Sequence, residues 1–206
     1  MVSLNLLRNL AEASNSDSDI LNVIKTPEDL SLYMKSINYG WIDKKGKRNG
    51  TGDDDDEEYF YKEYSLQSPE DLIKSRLGVC WDQAELERKW FKLHKYQYAV
   101  IYVEVVNDES APTHTFLIYK DPNNNEICWF ENSWGQYRGI HKYSTVNKCV
   151  NDVVNKLKQS FNLRGTLLVT KLGSVMSGGM SCSGYYSKAR KGDKIELTKI
   201  SDEILD

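Results

Sequence analysis

Apolar residues recur every three or four positions in several stretches of the chain, and this spacing predicts amphipathic helices. A short helix of this kind is expected within residues 4–11. Two further helices are expected to begin at Thr26–Asp29 and Ser68–Asp71, where a Thr or Ser can cap the helix and a Pro occupies its first turn. Another amphipathic pattern runs from Ser144 to about Asn162. Predicted helices therefore lie on both sides of the middle of the chain.

Between these helices, three apolar runs are typical of strands, namely Tyr98–Val106, Thr113–Lys120 and Glu126–Asn132. Short polar turns join them, which favours an antiparallel meander. Shorter runs at Gly139–Tyr143 and Thr166–Leu172 predict two more strands. The predicted fold class is therefore α+β, with helices packed on an antiparallel sheet.

An acidic segment stands out in the N-terminal third. Asp53–Glu58 is a run of six consecutive acids, and the mutual repulsion of their carboxylates predicts a solvated loop rather than a metal site. The segment that follows, Tyr59–Leu66, alternates aromatic and charged residues, which is compatible with a strand.

The length of 206 residues favours one domain. Residues 1–66 are interpreted as an N-terminal helical region with the acidic loop, belonging to the same domain. Residues 67–172 form the expected core. Residues 173–206 are rich in Gly, Ser and Lys and are expected to be a C-terminal arm or tail, with a short helix around Cys182–Ala189.

Charge and hydropathy narrow the possible partners. The chain has 27 basic and 30 acidic residues, a formal charge of −3 and no basic stripe, so nucleic acid is not an expected partner. The first residues lack the basic and apolar regions of a signal peptide, and no stretch reaches the roughly 18 apolar residues of a membrane span. A soluble cytoplasmic protein without a membrane partner is expected, and its oligomeric state stays open.

The four cysteines are widely spaced and form no C-x-x-C pair, so neither a zinc site nor a disulfide framework is predicted, and no cofactor is expected. One of them, Cys80, lies at the head of a predicted helix within Leu77–Glu85. A helix N-terminus has unpaired N–H groups and a partial positive charge, which favour a thiolate and can hold an oxyanion. Cys80 is therefore the candidate nucleophile. The other cysteines are interpreted as structural, with Cys182 expected to be the most exposed.

The helix that begins near Cys80 is predicted to be buried on one side only. Ala84 and Phe91 lie on the same stripe as Cys80 and are expected to face the core. The opposite side is expected to be covered by charged residues, namely Glu85, Glu87, Arg88 and Lys89.

A histidine and a pair of polar residues follow in an order that suits acyl chemistry. His114 starts the second predicted strand, where its imidazole can take the proton of Cys80 and return it to a leaving group. Glu131 and Asn132 end the next strand, and one of them is expected to hydrogen-bond the far ring nitrogen. Because side chains alternate along a strand, these two residues point to opposite faces and at most one orients His114. The sequence does not decide between them.

The same residues carry a resemblance to known families. Gly78–Ala84 resembles the G-x-C-x-D-x-A signature of bacterial transglutaminase-like domains, within the papain-like cysteine hydrolase superfamily, and Glu131–Gly135 resembles the papain N-S-W-G box. The papain match implies Asn132 as the orienting residue, whereas the transglutaminase-like branch uses an acid and implies Glu131. The resemblance spans about Ser68 to Gly139 and implies a papain-like fold with a catalytic core in residues 67–172.

These observations lead to one expected activity and two alternatives. The expected activity is that of a cysteine-dependent peptidase or amidase, which acts on a peptide or protein amide through a Cys80–His114–Glu131/Asn132 triad and a thioester. The first alternative is an amine-acceptor transglutaminase. The second, from a different class, is a catalytically inactive binding or scaffolding module that keeps the site.

Overall fold

The computed structural model describes residues 17–50, 57–106, 108 and 111–206. The predicted helix in residues 4–11 and positions 53–56 of the acidic run lie outside these residues. The remaining two acids, Glu57 and Glu58, begin a helix.

Seven α-helices lie within the described residues. In chain order they are Asp17–Val23 (α1), Pro27–Met34 (α2), Glu57–Glu63 (α3), Pro69–Ser75 (α4), Cys80–Leu93 (α5), Val146–Ser160 (α6) and Cys182–Ala189 (α7). The two predicted helix starts are confirmed, because Thr26 Oγ1 accepts from the Asp29 N–H and Ser68 Oγ accepts from the Asp71 N–H, each at 3.1 Å.

The predicted strand over Tyr59–Leu66 is wrong, because most of that stretch forms α3. Phe60 and Tyr64 are four residues apart and face the same side, with ring centroids 4.8 Å from each other. Both rings pack edge-on against Trp41, at 5.2 and 6.4 Å. The aromatic spacing therefore serves helical packing onto Trp41 and not a half-buried strand.

The strands form one hairpin and one large sheet. The hairpin pairs Gly40–Ile42 (β1) with Arg48–Gly50 (β2). The strands of the sheet are Tyr98–Val105 (β3), His114–Lys120 (β4), Ile127–Glu131 (β5), Gly139–Tyr143 (β6), Leu167–Lys171 (β7) and Asp193–Lys194 (β8). Their spatial order is β6-β5-β4-β3-β7-β8, and every neighbouring pair is antiparallel. The expected meander and the α+β class are confirmed.

Helices cover both faces of this sheet. Side chains alternate between the two faces of the sheet along each strand. Those on one face, such as Val100 and Leu117, join the core that contains α5. Those on the other face, such as Ile101 and Ile118, join the core under α6. The helix that carries Cys80 is therefore packed directly on the sheet strand that carries His114.

Helix α5 is buried on nearly all sides. Of the four charged residues expected on an outer face, Lys89 is exposed and the other three are enclosed. Glu85, Glu87 and Arg88 are buried, at 1%, 3% and 2% exposure. The segment after β7 covers them, because Arg88 Nη1 donates to the Leu172 carbonyl at 2.8 Å and the Met176 N–H donates to Glu85 Oε2 at 3.2 Å. These partners come from distant sequence and allow charged groups to be enclosed.

Residues 173–206, expected to be an arm or tail, pack against the core. Tyr185 of α7 stacks on Trp81 with ring centroids 4.1 Å apart, and its hydroxyl lies 3.0 Å from Thr115 Oγ1. Cys182, expected to be the most exposed thiol, has no exposed surface. The predicted helix at Cys182–Ala189 is present, and it supports the N-terminus of α5.

Candidate active site

A tight turn leads the chain into Cys80. A Cβ placed on Gly78 would lie 2.5 Å from Leu72 Cδ1 and 2.9 Å from Asp82 Cβ, so the close approach of α4 and α5 requires a glycine. Asp82 Oδ2 accepts from the Val79 N–H at 2.9 Å, which braces the residue before Cys80.

The Asp82 carboxyl also joins α5 to the segment before α4. Its Oδ1 accepts from the Gln67 N–H at 2.8 Å and from the Tyr64 hydroxyl at 2.9 Å. Burial raises the pKa of Asp82 to about 7 although these hydrogen bonds oppose the shift. These contacts make Asp82 a brace of the start of α5.

Cys80 is the first residue of helix α5. The first backbone bond of this helix runs from the Gln83 N–H to the Val79 carbonyl, at 3.1 Å. The N–H groups of Cys80 and Trp81 precede it and have no acceptor within the helix. Such N–H groups at a helix start suit an oxyanion next to the Cys80 sulfur.

The ambiguity between Glu131 and Asn132 is resolved by geometry. Glu131 Oε2 lies 2.8 Å from His114 Nε2, and its Oε1 accepts from Ser133 Oγ at 2.9 Å and from the Trp134 N–H at 2.8 Å. The acid therefore contacts the imidazole and is itself held by two further donors.

Asn132 follows the end of β5 and has other partners. Its Nδ2 donates to Gln83 Oε1 at 2.7 Å and to the Met34 carbonyl at 3.0 Å. Gln83 Nε2 in turn donates to the Gly78 carbonyl at 2.7 Å. Asn132 thus ties β5 to the turn before Cys80 and does not orient the imidazole.

The Cys80 thiol adjoins the ring of His114, and both side chains are nearly enclosed, with exposures of 5% for Cys80 and 6% for His114. Since Glu131 occupies Nε2, Nδ1 is the ring nitrogen left for the thiol. Trp134 packs edge-on against the imidazole at 5.5 Å between ring centroids and limits access of water from that side.

The charges in the site favour a protonated imidazole. Burial alone lowers the pKa of His114, but the charge of Glu131 and the hydrogen bonds to Cys80 and Glu131 outweigh it and raise the pKa to about 10. Burial raises the pKa of Glu131, yet the charge and hydrogen bond of His114 leave it below the usual range. The pair is therefore an imidazolium bound to a carboxylate near neutral pH.

Two residues near the thiol were missed by sequence reasoning. Tyr39 interacts with Cys80 as a side-chain hydrogen-bond partner. Glu87 lies buried near Glu131, and burial followed by the Glu131 charge raises the pKa of Glu87 well above its usual value. Tyr39 has no motif, whereas Glu87 sits seven residues after Cys80, a spacing that places both on one side of a helix.

A cleft of about 670 Å³ lies beside the site, and Cys80, His114 and Glu131 are not among its lining residues. Val79 and Thr113, the chain neighbours of the candidate nucleophile and base, belong to its lining. The aromatic lining residues are Tyr39, Trp41, Phe60, Tyr61 and Tyr186. The charged ones are Glu57, Glu58, Glu104, Asp108 and Arg190, so acids predominate among the described lining residues.

The remaining histidines serve packing. His94 stacks on Trp90 at 4.3 Å between centroids, and its Nε2 lies 3.1 Å from the Leu21 carbonyl. His141 stacks on Trp129 at 4.6 Å.

Within the described part of the chain, no group of three or more His, Cys, Asp or Glu side chains is arranged to hold a metal ion. Among the same residues, no helix combines the length and the apolar character needed to cross a bilayer.

Comparison of the sequence with models of known protein families and with curated proteins gave no match. The chemistry of the site must therefore be inferred from its own residues.

Proposed function

We propose that the protein is a cysteine-dependent hydrolase of peptide or side-chain amides, with Cys80 as nucleophile, His114 as acid and base, and Glu131 as the residue that orients His114. The observation that carries the proposal is the placement of one imidazole between a thiol at a helix N-terminus and a buried carboxylate. We further propose that the domain is transglutaminase-like within the papain-like superfamily, which agrees with an acid rather than an amide as the orienting residue.

The proposed reaction begins with a thiolate on Cys80 and an imidazolium on His114. The Cys80 thiolate attacks the carbonyl carbon, and the oxygen becomes an oxyanion near the N–H groups at the start of α5. When the tetrahedral intermediate collapses, the C–N bond breaks and the imidazolium of His114 gives its proton to the leaving amine. Water then attacks the thioester while neutral His114 takes a proton from it, and collapse releases the carboxylic acid and regenerates the thiolate–imidazolium pair.

The lining of the cleft beside the thiol favours one kind of substrate. Its aromatic walls suit a peptide segment with apolar side chains. The excess of acids over Arg190 in the lining favours substrates that are neutral or positively charged near the scissile bond.

The test is covalent capture with a small activated ester, p-nitrophenyl acetate. We expect release of p-nitrophenol and an acetyl group on Cys80, located by mass spectrometry of the digested protein. Cys80→Ala should lose both signals. The matched control is Cys182→Ala, which removes a buried thiol of α7 and should keep them.

Adding a primary amine to the acylated protein separates the two kinds of acyl transfer. Release of acetate in the presence of amine supports the hydrolase, and formation of the N-acetyl amine in its place supports the transglutaminase alternative. Absence of any acylation of Cys80 in the folded protein, at concentrations that acylate free thiols, refutes both and leaves the binding module.

A further inference from the structure

We propose that the hydroxyl of Tyr39 is a catalytic group, which donates a hydrogen bond to the oxyanion that forms when Cys80 attacks a carbonyl. This inference rests on the proposed function, because the oxyanion exists only if Cys80 is an acylating nucleophile.

The backbone holds Tyr39 beside the nucleophile. The Asn38 N–H donates to the Arg76 carbonyl at 3.0 Å, and the Gly78 N–H donates to the Asn38 carbonyl at 3.1 Å. These two bonds attach the residue before Tyr39 to the residues that lead into Cys80. Movement of Tyr39 relative to the nucleophile is thereby restricted at the main chain, as a preorganised donor requires.

The side chain of Tyr39 reaches from the cleft to the thiol. It lines the cleft together with Val79 and Thr113, and 38% of its surface is exposed. Its hydroxyl interacts with the Cys80 side chain. Burial, followed by the charges of Cys80 and Asp82, raises the pKa of Tyr39 well above its usual value. The hydroxyl therefore keeps its proton at working pH and remains a donor.

A donor in contact with the sulfur is well placed for the oxyanion. The oxyanion oxygen is two bonds from the Cys80 sulfur, so a small rotation of the Tyr39 side chain moves its O–H from the sulfur to that oxygen. The backbone N–H groups at the start of α5 supply a second donor from the helix side. Two donors from different directions match the geometry that stabilises a tetrahedral intermediate.

Substitution of Tyr39 by Phe tests the role, because Phe keeps the ring and removes only the hydroxyl. Two reagents are compared on the same protein. Acylation of Cys80 by p-nitrophenyl acetate passes through an oxyanion, whereas alkylation by iodoacetamide displaces iodide at a saturated carbon and forms none. In Tyr39→Phe we expect the acylation rate to fall by about 10²- to 10³-fold. The alkylation rate of Cys80 should change by less than about tenfold, the equivalent of one neutral hydrogen bond.

The control is Tyr96→Phe, the same chemical change at the far end of α5, where the ring packs on Trp90 and Phe91. It should leave both rates at the wild-type value. If both rates fall equally in Tyr39→Phe, or if its acylation rate does not fall, the inference about Tyr39 is overturned. The proposed function still stands in that case, provided that Cys80 of the wild-type protein is acylated. If the wild-type protein is not acylated at Cys80, the proposed function fails and the role of Tyr39 fails with it.

Discussion

Replacing Glu131 with Gln tests the orienting residue most sharply, because Gln has nearly the same shape but one acceptor oxygen instead of two. Both carboxylate oxygens are in use, Oε2 by His114 Nε2 at 2.8 Å and Oε1 by Ser133 Oγ at 2.9 Å and the Trp134 N–H at 2.8 Å. The single oxygen of Gln can replace only one of the two carboxylate oxygens. The NH₂ group of Gln then faces the donors of the other position, either His114 Nε2 or the pair of Ser133 Oγ and the Trp134 N–H. The substitution also removes the charge that balances the buried imidazolium.

The expected effect follows from these contacts. Each hydrogen bond to a charged group contributes about 1.5–3 kcal/mol, and at least one is lost, so the free energy of unfolding should fall by about 2–4 kcal/mol. Because the charge of Glu131 raises the pKa of His114, its removal lowers that pKa and leaves less of the imidazolium that the proposed mechanism requires. The rate of Cys80 acylation should fall by about 10²- to 10⁴-fold.

Urea unfolding and the initial rate of p-nitrophenol release measure the two effects. The matched control is Glu126→Gln in the turn before β5, a partly exposed acid that pairs with Lys142 at 2.9 Å. It should change the free energy of unfolding by less than about 1 kcal/mol and leave the rate unchanged. Wild-type acylation by Glu131→Gln, combined with a large loss in Asn132→Ala, would show that the orienting residue has been assigned wrongly.

Three further outcomes are expected. Gly78→Ala should lower the free energy of unfolding by about 1–3 kcal/mol, since its Cβ would overlap Leu72 and Asp82, and an unchanged urea midpoint would contradict this close packing. The pKa of His114 is raised from about 6.5 in the unfolded chain to about 10 in the folded protein. Its contribution to stability is therefore complete below about pH 6.5 and should be lost as the pH rises to about 10. Urea midpoints that do not fall between pH 6 and pH 10 would argue against the buried imidazolium. Cys182 should resist alkylation in the native protein and react only in denaturant, and rapid native labelling would show that α7 does not pack as described.

The central sheet was predictable because its information is local. Short polar turns join β3, β4 and β5, so the pattern of apolar runs determines both the strands and their antiparallel pairing. The same alternation predicted that Glu131 and Asn132 point to opposite faces. Which of them meets His114 depends on where the strand ends and on the partners of each side chain, and the pattern alone does not contain that information.

The surroundings of α5 were not predictable from periodicity. Glu85 and Arg88 carry charges that favour exposure, and only contacts from Leu172 and Met176, far along the chain, explain their burial. The placement of Tyr39 at the thiol has the same origin, since it depends on backbone bonds between Asn38 and the turn before Cys80. Such non-local pairings leave no spacing signal in one sequence.

The most direct test of the proposed triad is the rate at which iodoacetamide labels Cys80 at pH 6, measured by mass spectrometry of the tryptic peptide. In the proposed mechanism the attacking form of Cys80 is a thiolate paired with protonated His114. We therefore expect labelling far faster than that of the same peptide after denaturation, where an ordinary thiol has a pKa near 8.5. The advantage should disappear in His114→Gln. Labelling of native Cys80 no faster than the denatured peptide, or fast labelling that survives His114→Gln, would contradict a thiolate–imidazolium pair at this site.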